Sequence, residues 1–242
     1  TGFMRELSEG TITDAVAAYR GCGPDLPFAE GADPSRLRHL SWDVCRLHFA
    51  GAKLTGKRKH RELNGLHIAA YLAAQGMIQG ASPLLTSSNA VVFQSAAEVL
   101  ADRAKKVADL DVDDYGKGKK RKRLLKAHGE LSDVLVPDSG GIATAASRTL
   151  MGAFGCLPGF GGNVAKAMGD LAGSDVPNAA FAAPTDESLA FLHRFWSAHR
   201  DEIDELAAGI TVVDVAKQKR TDLPIGRARV LEMFADQWAA DL

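Results

Sequence analysis

Apolar residues recur at intervals of three and four along most of the chain. This is the period of an amphipathic α-helix rather than the alternation of a strand. Leu37, Leu40, Val44 and Leu47 mark one apolar face over 34–49, with Asp33 suited to cap it and Pro34 to its first turn. Over 63–79 the apolar residues, among them Leu66, Ile68, Tyr71, Leu72 and Met77, fall on nearly every side. A helix of that kind is expected at the buried centre of a domain, with Leu66, Leu72 and Met77 in the core. Ser87 or Ser88 is placed to cap a helix with the stripe Val92, Ala96 and Val99, and Leu124, Leu125 and Leu131 carry another. Further helices are predicted over 144–154 and around Val164, Met168 and Leu171. Thr185 caps a strongly amphipathic one, with Asp186 and Glu187 in its first turn and Leu189, Leu192, Trp196, Ile203 and Leu206 on its face. Leu231, Phe234 and Trp238 belong to a last helix after Pro224. Only 210–215 reads as a strand, too short to found a sheet. Turns are expected at 137–141 and 155–162, where Gly and Pro cluster. The pattern predicts an all-α fold, a single domain over 1–242 of about eight to ten helices around a central helix at 63–79, with a loose segment at 173–184.

The 242 residues suit one large helical domain. Hydrophobic residues make up 46% and aromatics only 7%, so the core is expected to be built from aliphatic side chains. Lys plus Arg number 29 against 30 Asp plus Glu. That balance excludes a globally basic protein drawn to nucleic acid or anionic lipid by net charge alone, and leaves local patches open. Cys22, Cys45 and Cys156 are odd in number and widely spaced, which gives no disulfide framework and favours a reducing, cytoplasmic setting. No apolar run approaches the length of a membrane span, and residues 1–10 lack the order of a signal peptide, so no membrane association is expected.

Three groups of residues carry candidate chemistry. The segment from Phe154 to Ala165 reads Leu157-Pro158-Gly159-Phe160-Gly161 at its centre and resembles the helix-hairpin-helix signature. In that motif the glycines let the backbone approach a phosphate, and amides at the start of the next helix point at it, here with Lys166 nearby. The alternative is a plain helix connection in which Pro and Gly only end one helix and start the next. The second group is two basic blocks: Lys117, Lys119, Lys120, Arg121, Lys122, Arg123 and Lys126, and Lys53, Lys57, Arg58, Lys59, His60 and Arg61. Such blocks neutralise phosphates when they bind nucleic acid, and are solvated faces when they do not. The third is a polar stripe on the apolar helix, Asn64, His67, Tyr71, Gln75 and Gln79, which either lines a pocket or faces solvent. Cys45 and His48 share a helix face without a matching pair of ligands, and no zinc-protease, nucleophile-elbow or phosphate-loop motif occurs, so neither a metal nor a cofactor is expected.

The segments from Leu66 to Ser82 and from Thr149 to Pro158 are similar to stretches in a family of uncharacterised bacterial all-α proteins of about this size, and the last helix is loosely similar as well. The resemblance implies a fold and no activity. The family pattern continues after Pro158 with Ala-aromatic-Asp where this chain has Gly159-Phe160-Gly161, and has an aromatic and a basic residue where this chain has Gln75 and Gln79. The expectation is therefore a non-enzymatic binding protein with nucleic acid as the best-supported partner. A helical scaffold that docks a protein partner comes second, and an enzyme built on His67, Tyr71 and Gln75 third.

Overall fold

The computed structural model describes residues 4–23, 27–135, 143–173 and 176–242. Within them the chain is mainly helical, with eleven α-helices and one two-stranded sheet. In order these are α1 (Thr11–Arg20), α2 (Ser41–Gly51), α3 (Arg58–Ala74), the single turn α4 (Pro83–Thr86), α5 (Ala90–Val107), α6 (Gly118–Leu135), α7 (Ala143–Phe154), α8 (Gly162–Ala172), α9 (Asp186–Ala198), α10 (Arg200–Gly209), β1 (Thr211–Asp214), β2 (Lys219–Pro224) and α11 (Arg227–Asp241). The turn expected at 137–141 lies outside the described residues.

The centre of the domain is α7 with the segment that follows it, not α3. From Ala145 to Phe160 all residues except the half-buried Arg148 are buried. Helices α2, α3 and α6 pack around α7, and α8 packs on α11. Small residues make the central position possible. A Cβ on Gly152 would lie 2.6 Å from the Tyr71 ring and 3.1 Å from the Cys45 sulfur, so α2 and α3 approach α7 as closely as they do only because no side chain is there. Helix α11 is equally enclosed, with every residue from Ala228 to Ala235 buried. Its first two amides, on Arg227 and Ala228, donate to the Asp111 carboxylate at 2.8 and 2.9 Å, a cap brought from 116 positions upstream.

Several helix starts match their sequence signals. Asp33 accepts from the Ser35 amide. Thr185 and Ser188 cap each other reciprocally at the start of α9. Elsewhere tertiary contacts override the pattern. Residues 34–40 form two 3-10 turns rather than the first half of a helix, and α2 buries Trp42, Cys45 and Phe49 while Val44 is exposed. Asn89, not Ser87 or Ser88, caps α5. On α3, Ile68, Tyr71 and Leu72 are buried but Leu63 and Leu66 are 51% and 62% exposed, and Met77 lies beyond the helix, half-buried. The expectation that 63–79 is the buried centre is corrected accordingly: abundant apolar residues on all sides do not bury a helix that packs along one face. The helix expected to run from Thr185 to Leu206 breaks at His199 into α9 and α10. Among the described residues of 173–184, a 3-10 turn at Asn178–Phe181 buries Phe181, and Val176 is buried beside it, so this segment packs against the core. The strand signal at 210–215 becomes β1, paired antiparallel with β2 in a hairpin.

Substituting Gly152→Ala forces a methyl group against Tyr71 and Cys45 and is expected to destabilise the protein by about 1–3 kcal/mol. Leu66→Ala is expected to cost under about 0.5 kcal/mol, as a surface change does. Chemical denaturation midpoints of the two variants check both values. A large loss at Leu66 would restore α3 to the centre.

Candidate functional site: a charged pocket between α3, α7 and α11

The last helix carries three charged residues where the rest of its face is apolar. Arg229, Glu232 and Asp236 are spaced three and four apart, so they share one face of α11. Glu232 is completely buried and Arg229 is 3% exposed. A buried carboxylate needs compensating donors, and Glu232 has them on both oxygens. Its Oε2 accepts from Arg229 Nη1 at 2.5 Å. Its Oε1 accepts from the Gly159 amide at 3.0 Å, and Arg148 Nη1 lies 3.5 Å away. The Arg229 guanidinium is stacked between the rings of Trp42 and Tyr19, at 4.8 and 5.4 Å from their centroids. Burial disfavours its charge, but Tyr19 and Glu232 outweigh that and hold it cationic.

This arrangement answers the hairpin expectation. The glycine turn after α7 does accept an anion, and the anion is the protein's own Glu232. Gly159 is buried with its amide bonded to that carboxylate, and a Cβ there would strike Glu232 Oε1 and Arg148. Gly161 packs against Thr144, with a Cβ position 2.9 Å from its methyl group. The Lys166 ammonium donates to the Ala239 carbonyl at 2.8 Å, at the end of α11. Gly159, Gly161 and Lys166 thus join α7, α8 and α11 and do not form an open phosphate cradle.

Above Glu232 the structure opens into a cavity of about 410 Å³, lined by Tyr19, Arg36, Leu37, Arg38, His39, Gln75, Arg148, Asn163 and Asp236. Its parts come from six segments of chain. Arg148 projects from α7 and donates to Gln75 Oε1 at 2.6 Å. Gln75 Nε2 donates in turn to Ser41 Oγ at 3.1 Å. Arg38 is pinned beside them, its Nε donating to the Ala74 carbonyl at the end of α3. On α8, Asn163 Nδ2 donates to Asp236 Oδ1 at 3.1 Å. Arg148 Nε and His39 Nε2, and Tyr71 Oη behind the pocket, are buried without a hydrogen-bond partner. Burial and the charge of Glu232 raise the Asp236 carboxyl, against the pull of Arg148. Burial, with Arg229 and Arg20 nearby, pushes His39 down to about 4. Behind it, burial pushes Asp43 up to about 6 even though its carboxylate accepts from the Val213 amide at 2.8 Å.

The polar stripe of α3 divides between two places. Gln75 lines the pocket and Tyr71 lies buried behind it. Asn64 and His67 belong to a separate cluster on α2 and α3, where His48 Nε2 lies 2.9 Å from Asn64 Oδ1 and stacks on His67 at 3.6 Å between centroids. Gln79 is exposed beyond the helix.

The basic blocks sit at the starts of α6 and α3, and both helices pack on α5. Part of their charge is paired. Arg121 reaches Asp186 at 2.7 and 3.0 Å, Lys117 and Lys120 flank Asp114, Arg58 meets Glu62 at 2.6 Å, and Arg61 meets Glu98. Lys57, Lys59, Lys119 and Lys122 are exposed and Arg123 is half-buried. Among the described residues no group of three or more His, Cys, Asp or Glu is placed to hold a metal ion, and no helix is long and apolar enough to cross a membrane.

Arg229, Glu232, Asp236, Arg148 and Tyr19 escape a sequence reading focused on glycine turns and lysine runs. The signal was present in α11: three charges at helical spacing inside the run Val230, Leu231, Met233, Phe234 and Ala235. Charges placed among core residues mark a buried polar face. No family model, curated protein or solved structure matches the chain.

The two perturbed groups oppose each other in acid. His39 is lowered from 6.5, so the stability it contributes is present above that pH and is lost as pH falls towards about 4. Asp43 is raised from 3.8, so its contribution is present at low pH and is lost as pH rises through about 6. Relative to the parent protein, His39→Gln should therefore gain stability on acidification from pH 6.5 to 4, and Asp43→Asn should lose it. Urea midpoints at several pH values across this window check the two signs. Parallel profiles for all three proteins would contradict both.

Proposed function

We propose that this protein binds a small polar molecule in the pocket between α3, α7 and α11. The observation that carries this reading is a cavity walled by charged and amide side chains, Arg38, Arg148, Gln75, Asn163 and Asp236. The volume of about 410 Å³ falls in the range of small-molecule sites, and the cavity has a few fixed polar groups on a rigid, packed base. Arg148 and Gln75 are held by each other and by Ser41, so ligand binding does not have to order them.

Thermal denaturation in the presence of a panel of small polar metabolites tests the reading. At least one compound is expected to raise the midpoint of the parent protein. Asn163→Phe, which adds bulk at the exposed rim on α8, is expected to fold and to lose that effect. Failure of every compound, or protection that survives the blocked rim, would remove the proposal.

A second reading, contact with nucleic-acid backbone, is supported by one feature of α6. Lys119, Lys122 and Lys126 are exposed and spaced three and four apart, so they form a single cationic stripe. It needs neither the glycine turn nor a shared face with the second block. Duplex binding would be salt-dependent, and Lys119→Gln with Lys122→Gln is expected to flatten the logarithmic salt slope by about 0.9 per lost phosphate contact. No binding of the parent protein to duplex at low salt would exclude this reading.

A further inference from the structure

The walls of the pocket carry opposite charges at different places. Arg38 and Arg148 are both fastened to the end of α3, one through the Ala74 carbonyl and the other through Gln75. Arg36 stands at the mouth, its side chain 86% exposed and 3.3 Å from Asp33. Asp236, held by Asn163, marks the side formed by α8 and α11. Three guanidiniums and the Asp236 carboxylate line the cavity, and Arg36 has its own partner in Asp33, so Arg38 and Arg148 are the fixed cations of the pocket. Behind them lie the buried Arg20, Arg229, Asp43 and Glu232, and Glu232 takes Arg148 as well as Arg229 as a partner. Arg148 presents its guanidinium to the cavity while its Nη1 donates to Gln75. Asp236 Oδ1 accepts from Asn163, and the ionised group is an acceptor that a hydroxyl or ammonium completes.

Building on the small-ligand reading above, we infer that the ligand is a compact oxyanion that also carries a hydrogen-bond donor. Its phosphate or carboxylate sits on Arg38 and Arg148, and its amino or hydroxyl group on Asp236. Guanidinium groups suit either anion because their paired N–H donors match two oxygens at once. Arg36, paired with Asp33 at the mouth, is not part of the fixed site.

Calorimetric titration at pH 8 and constant ionic strength tests this with four probes: phosphoethanolamine, β-alanine, ethanolamine and glycerol. The first two join an anion to an ammonium group and distinguish phosphate from carboxylate; the others lack the anion. Binding of phosphoethanolamine or β-alanine, with none of ethanolamine or glycerol, is the expected result. Arg38→Gln should weaken that binding by about tenfold or more. Asp236→Asn should weaken the amino-bearing probe while leaving the affinity for inorganic phosphate or acetate unchanged. Tighter binding of ethanolamine or glycerol, or affinities that neither substitution moves, would overturn the assignment. If none of the four binds but another compound protects the parent protein and not Asn163→Phe, the oxyanion assignment falls and the pocket reading stands. If nothing protects, both fall.

Discussion

A carboxylate with no access to water organises this fold. Glu232 is buried on α11, and an isolated charge there would cost several kcal/mol even after relaxation. The structure offsets that cost from three directions: Arg229 one turn earlier on the same helix, Arg148 from α7, and the Gly159 amide from the turn that leaves α7. Each of these donors constrains a piece of the chain. Gly159 must lack a side chain because Glu232 occupies that space. Arg229 must lie flat between Trp42 and Tyr19, which draws α2 and α1 onto α11. Arg148 must reach past the core, which leaves its remaining nitrogen at the pocket.

The same network explains why the pocket lies where it does. Apolar packing around α7 is tight because of Gly152 and neighbouring alanines, and a core of that kind leaves no internal space. The charged face of α11 cannot pack in that way. Its side chains need donors and acceptors at fixed angles, and the helices around it are held apart where those groups stand. A cavity with hydrogen-bonding walls results where α1, α7, α8 and α11 meet the 3-10 turns at 36–39 and the end of α3. Replacing a buried ionic cluster with apolar side chains is often neutral or stabilising, so stability alone does not require this one.

Charge on the outside of the molecule follows a different logic. The lysine-rich start of α6 is partly neutralised by Asp114 and Asp186, and its remaining cations are spread along one exposed stripe. Such a surface attracts anions over a Debye length and depends strongly on salt. Of the pocket arginines, Arg148 is mostly shielded from solvent, while Arg38 and Arg36 stand exposed.

Helical periodicity, the Thr185 cap and the Pro34 turn were legible in the chain because they depend on residues within a few positions of one another. The mainly helical class, the core positions of α8 and the β-signal before α11 follow from the same local rules. Which helix is central was not legible: α3 is richer in apolar residues on every side, yet it packs along one face, and α7 is enclosed because its small residues admit three neighbours. The sequence marks the glycine turn as a phosphate cradle, and in the structure the Gly159 amide meets a carboxylate of the protein itself. That the anion is Glu232, 73 positions away, depends on how α11 folds back across α7, and no local spacing encodes that distance. The sequence by itself determined the helices and their punctuation, because backbone hydrogen bonds and capping act over one or two turns. Only the tertiary structure decided the site, because Tyr19, Arg38, Gln75, Arg148 and Asp236 meet through the packing of five separate segments around one buried charge.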